Sequence, residues 1–134
     1  MPETLSSGPW QMPKTLNGFV AIVDDDMAVR KGLARLLGAC AIRARSYASA
    51  REFLESLPTE MPECLIVDLQ MPEMTGLELQ GELSRLGARI PTIVITAHNE
   101  RGLRERCLQA GATAYLVKPL DSTVLLASID SAVG

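Results

Sequence analysis

The chain has little of what thiol, zinc or nucleotide chemistry requires. Three cysteines, Cys40, Cys64 and Cys107, stand far apart among 134 residues. No CxxC pair or Cys/His cluster occurs, so neither a disulfide framework nor a zinc site is indicated. That usage fits a reducing, cytoplasmic setting, and Cys64 reads as a small buried hydrophobe. Basic charge is not in excess: 13 Lys and Arg against 16 Asp and Glu leave a net charge of -3. Direct nucleic-acid binding by this chain is therefore not expected. No apolar run approaches the roughly 20 residues that cross a bilayer. The amino terminus lacks the basic start and apolar stretch of a secretory signal. No glycine-rich phosphate-binding loop follows the first apolar run, which argues against a nucleotide site. Repeats and low-complexity tracts are absent too.

What is present is an alternation. Residues 1–17 carry Pro2, Pro9 and Pro13 with little periodicity and read as a flexible tail. Residues 18–134 read as one domain. Phe19–Val23 is a strand, and Asp25 or Asp26 can cap a helix carrying Val29, Leu33, Leu36 and Leu37 at helical spacing, with Gly38 as its stop. Ile42, Ala44 and Ser46 alternate with Arg43 and Arg45, which suits an edge strand. Ser49 precedes a short helix through Phe53, Leu54 and Leu57 that ends at Pro58. Cys64–Val67 is a buried strand, and a loop from Gln70 to Gly76 leads to a helix marked by Leu79, Leu83 and Leu86. Pro91–Ile95 is a fourth strand. Glu100 to Ala110 is a fourth helix, with Leu103, Cys107 and Ala110 on one face and Gly111 after it. Thr113–Val117 is a fifth strand, and Asp121 or Ser122 caps a last helix with Leu125, Ile129 and Ala132. Five strands alternating with five helices predict a doubly wound α/β fold around a five-stranded parallel sheet. Ligands in such sheets bind beyond the carboxyl ends of the strands.

Polar groups gather at those ends. Asp24, Asp25 and Asp26 follow the first strand, and Asp68 follows the third. Adjacent strands lie about 5 Å apart, so these acids crowd, and unpaired carboxylates at that range raise each other's pKa. An all-oxygen cluster without Cys or His suits a hard cation such as Mg²⁺. Thr96 ends the fourth strand and Lys118 the fifth, where a hydroxyl and an ammonium can bind phosphoryl oxygens. A carboxylate left over from metal binding can act as nucleophile.

The motifs Val23-Asp-Asp-Asp26 with Val29-Arg30, Val67-Asp-Leu-Gln-Met-Pro-Glu-Met-Thr-Gly76, Ile95-Thr-Ala97 and Tyr115-Leu-Val-Lys-Pro119 occur in order, each at a strand end. Together they resemble the receiver domain of two-component response regulators, across Phe19 to Val133. The details are most similar to the nitrogen-fixation-type regulators that drive LuxR-like output domains. The resemblance implies a flavodoxin-like strand order of 2-1-3-4-5. It implies that Asp68 accepts a phosphoryl group from a histidine kinase's phosphohistidine. Asp24, Asp25, Asp68 and the backbone carbonyl of Gln70 would hold Mg²⁺, with Asp25 the more direct ligand. Thr96 and Lys118 would contact the phosphoryl group, and Pro119 would follow a cis peptide bond. Thr96 and Tyr115 would be the switch, and Gln70 and His98 would tune phosphoryl loss. Leu120 stands where Phe often follows the Lys-Pro pair. The face of helix four, strand five and helix five would bind a partner or a second copy, and a DNA-binding output domain would lie outside this chain.

Plainer readings exist for each residue alone. Asp26 suits a helix cap, Thr96 an ordinary strand end, Lys118 a surface lysine, Tyr115 a half-buried sheet residue and His98 an exposed loop histidine. Two other functions compete as well. An aspartate-nucleophile phosphatase would use Asp24-x-Asp26 and leave Asp68 without a nucleophilic role. A receiver-like scaffold would bind partners without phosphorylation.

Overall fold

The computed structural model describes residues 18–134; the tail expected over residues 1–17 lies outside them. Five strands and five helices alternate: β1 (Val20–Val23), α1 (Met27–Ala39), β2 (Ala44–Tyr47), α2 (Ala50–Ser56), β3 (Cys64–Asp68), α3 (Gly76–Leu86), β4 (Thr92–Thr96), α4 (Leu103–Gln109), β5 (Ala114–Val117) and α5 (Ser122–Val133). All pairings are parallel, in the order β2-β1-β3-β4-β5. The central strands β1, β3 and β4 are buried at every position, which is why they are near-continuous apolar runs.

Side-chain alternation splits the core in two. Ala21, Val23, Leu65, Val67 and Val94 face one layer, where α2, α3 and α4 supply Phe53, Leu79, Leu83 and Cys107. Val20, Ile22, Ile66, Ile93 and Ile95 face the other, against Leu33 and Leu37 of α1 and Leu125 and Ile129 of α5. This two-sided cover gives the helices their amphipathic spacing. Cys64 is wholly buried in it, and burial pushes its thiol up to about 12, as befits an unreactive core residue.

Local signals begin most of the helices. Asp26 accepts from the amides of Ala28 and Val29, Ser49 from Glu52 and Asp121 from Thr123 and Val124. Thr75 and Glu78 form a reciprocal capping box. Several boundaries and burials differ from the sequence expectation. Gly38 lies inside α1, whose cap is Cys40; the left-handed residue beyond it is Ala41, at φ 60°. α4 starts at Leu103, not Glu100, because Gly102 takes φ 85° ahead of it and offers no side-chain cap. Ala110 is exposed, leaving Cys107 as the buried residue of that helix. Leu86 is 55% exposed, since it occupies the last turn of α3 beyond the sheet's cover. β2 begins at Ala44, and Ile42 is buried ahead of it in the α1–α5 layer.

Register carries the chain to its site. Val23 lies beside Val67, so Asp24 emerges next to Asp68. Thr96 lies beside Val117, so Lys118 emerges one step further on. α3 packs close under this end: a Cβ on Gly76 would lie 2.7 Å from the Asp68 carbonyl oxygen, a distance no side chain tolerates. Gly76→Ala is expected to lower stability by about 1–3 kcal/mol, the usual cost of overpacking. Gly81→Ala, in the same helix with nothing within 4 Å, is expected to raise it by about 1 kcal/mol. Urea midpoints with unchanged m-values check both.

Candidate functional site

Asp24 is held at three points. Its Oδ1 accepts the Asp26 amide at 2.9 Å, its carbonyl accepts Arg30 Nη1 at 2.7 Å, and its Oδ2 lies 3.1 Å from Lys118 Nζ. The side chain has no solvent exposure, so this anchoring compensates the desolvation of its charge. Arg30 stood in the sequence motif without a role; a long side chain one turn into α1 reaching back over the loop is not visible in spacing.

Asp68 closes the last position of β3. Its Oδ1 lies 3.7 Å from the same Lys118 Nζ. Carboxylate oxygens of Asp24, Asp25 and Asp68 lie within 4.8 Å of one another, with Asp25 exposed and the other two buried. Three acids thus share the neighbourhood of one ammonium. Burial, then the neighbouring Asp24, push the Asp68 carboxyl up to about 6, against the opposing pull of Lys118 and the Gln70 amide. The donor set is all oxygen and its charge is incompletely balanced, which fits a hard divalent cation.

Thr96 is fully buried at the end of β4. Its hydroxyl donates to Gln70 Oε1 at 2.6 Å and lies 3.1 Å from the His98 carbonyl; it accepts the His98 amide at 3.0 Å. His98 is exposed, and its contribution here comes through its backbone. Tyr115 is buried, not half-exposed, and its hydroxyl donates to Asn99 Oδ1 at 3.0 Å. Asn99 was missed in the sequence, where nothing ties a loop amide to a residue 16 positions on. Lys118 and Pro119 are joined by a cis peptide bond. Asp26 is the α1 cap and is absent from the acid cluster.

Asp24, Asp25, Asp68, Thr96 and Lys118 therefore meet at one end of the sheet. The family model for the response regulator receiver domain matches residues 20–130. The chain belongs to the response regulator receiver family. This receiver is 38% identical to the transcriptional regulatory protein FixJ of Rhizobium meliloti, over 84% of this chain and 55% of that protein. It is 34% identical to nodulation protein W of Bradyrhizobium diazoefficiens, over 85% of this chain and 50% of that one. The nitrogen-fixation likeness read from the motifs thus holds. The receiver spans about half the length of the curated relatives it matches. Among solved structures, the FixJ amino-terminal domain superposes with a TM-score of 0.81 at 37% identity, covering 87% of this chain and 93% of that one. A receiver protein from Burkholderia phymatum superposes at 0.78 with 42% identity, covering 87% and 95%.

The raised Asp68 pKa has a definite sign in stability. The folded state holds this proton up to about pH 6, whereas an unfolded Asp releases it near pH 4. Stability from this group is therefore full below about pH 4 and is lost as pH rises through 6. In metal-free buffer Asp68→Asn is expected to gain roughly 1–2 kcal/mol at pH 7.5, less than the full shift implies because solvent reaches one side of the pocket. The gain is expected to shrink towards zero below pH 4. Urea unfolding at the two pH values measures it.

Proposed function

We propose that this receiver takes a phosphoryl group onto Asp68 from the phosphohistidine of a histidine kinase and thereby switches a downstream partner. The observation that carries this is the meeting of a buried Asp68 with Asp24, Asp25, Thr96 and Lys118 at one strand end. A carboxyl titrating near 6 is largely ionised at neutral pH. One of its oxygens forms the new P–O bond as the P–N bond to histidine breaks, and the imidazole leaves with that electron pair. Lys118 Nζ stands where it can pair with the added phosphoryl oxygens, and the Thr96 hydroxyl is the donor on the adjacent strand, β4. Asp24, Asp25, Asp68 and the Gln70 carbonyl are the proposed holders of Mg²⁺, which when bound neutralises the charge that accumulates in transfer. The chain is on this reading a signalling phosphoacceptor rather than a turnover enzyme.

The switch is proposed to run through Thr96 and Tyr115 to the face of α4, β5 and α5. Val117 and Val124 are 42% and 47% exposed on that side, which supports contact with a second copy or an output domain. Relatives about twice as long, one of them described as a transcriptional regulatory protein, support a transcriptional output outside this chain. No helix among the described residues is long and apolar enough to cross a membrane, and a cytoplasmic setting is proposed with the kinase. His98 and Gln70 are proposed to tune phosphoryl loss. Residues 18–134 are proposed as the receiver unit.

Acetyl phosphate with Mg²⁺ is expected to add the mass of one phosphoryl group. Asp68→Ala is expected to abolish the adduct, and removal of Mg²⁺ to reduce it at least tenfold. An adduct that survives Asp68→Ala but is lost in Asp24→Ala would favour the phosphatase chemistry. No adduct in any form would favour the scaffold.

A further inference from the structure

The Thr96 hydroxyl has a single proton, and in this structure that proton is committed. Its Oγ1 lies 2.6 Å from Gln70 Oε1, the length of an O–H···O bond rather than an N–H···O one. The His98 amide fills an acceptor position at 3.0 Å, and the His98 carbonyl stands 3.1 Å away. A phosphoryl oxygen on Asp68 can take the Thr96 proton only by displacing Gln70. Gln70 and the phosphoryl oxygen compete for one donor, with the His98 carbonyl as a third, longer acceptor.

We infer that Gln70 is a positioning residue that latches the Thr96 hydroxyl in the unphosphorylated state and so sets how readily the switch engages. The inference rests on the phosphoacceptor reading of Asp68. It differs from any influence of Gln70 on phosphoryl loss, because it acts on an equilibrium before water attacks. Thr96 is fully buried, so its hydroxyl cannot turn to solvent when the latch opens; it must find another acceptor. Gln70 is exposed, so its amide regains water on release. That asymmetry makes the latch weak enough to open and strong enough to matter: one neutral hydrogen bond of this kind corresponds to about a two- to tenfold change in an equilibrium.

Beryllofluoride with Mg²⁺, which mimics an aspartyl phosphate without being hydrolysed, separates the two effects. Gln70→Met keeps the side chain's length and removes the acceptor. By ¹⁹F NMR it is expected to bind beryllofluoride about two- to tenfold more tightly than the wild type. In a Thr96→Val background the same substitution is expected to change affinity by less than about 1.5-fold, because no proton is left to compete for. In the wild type the Gln70 side-chain ¹⁵N signal is expected to shift when beryllofluoride binds. Equal affinity of wild type and Gln70→Met, an equal gain in the Thr96→Val background, or an unmoved Gln70 signal would each overturn the latch. A wild type that neither binds beryllofluoride nor forms an acetyl phosphate adduct at Asp68 would overturn the phosphoacceptor reading itself, whereas an adduct with equal affinities sinks the latch alone.

Discussion

Asp24, Asp25 and Asp68 place carboxylate oxygens within 4.8 Å of one another, and Lys118 Nζ reaches only the first and third of them. Two like charges about 4 Å apart repel by about 4 kcal/mol at the effective dielectric of a protein surface. That is a large fraction of a domain's total stability of about 5–15 kcal/mol. The fold holds this repulsion in place because the acids sit on the ends of the most deeply buried strands, which have no freedom to splay. A pocket of this kind is unsatisfied until positive charge or a proton arrives; burial first, and the neighbouring Asp24 charge second, push the Asp68 carboxyl up accordingly.

The sheet imposes that arrangement through register. β1 and β3 pair so that the residue after Val23 meets the last residue of β3, while β3 pairs Asp68 with Ile95 and so puts Thr96 one step beyond. β5 then delivers Lys118, whose amide bonds the Thr96 carbonyl at 2.8 Å. α3 has to pass immediately beneath, and glycine at position 76 is what lets it. The positions of Asp68, Lys118 and Thr96 are thus set by backbone pairing. The finer contacts, Arg30 on the Asp24 carbonyl, Gln70 on Thr96 and Asn99 on Tyr115, are made by side chains from loops and a helix.

That division explains what could be read from residues alone. The strands, their direction and the pocket acids were legible, because burial on both faces writes continuous apolar runs and the chemistry stands directly after them. Asp26 as a cap was legible, because capping is local. Helix ends were less so. Gly38 looked like a stop, yet Ala41 takes the left-handed turn, so tertiary contacts outweighed glycine's local preference. Ala110 and Leu86 have core-like spacing but lie past the cover of the sheet. The Gln70–Thr96 and Tyr115–Asn99 bonds were not legible, since pairings across 26 and 16 positions leave no periodic trace.

The charge imbalance at Asp68 is the central claim, and its titration tests it most directly. ¹³C NMR of the Asp68 carboxyl, followed from pH 3 to 9, is expected to give a midpoint near 6 without metal, falling by a unit or more when Mg²⁺ is added. A midpoint near 4 that Mg²⁺ leaves unmoved would mean that the three acids neither burden one another nor share a cation, and would contradict the account.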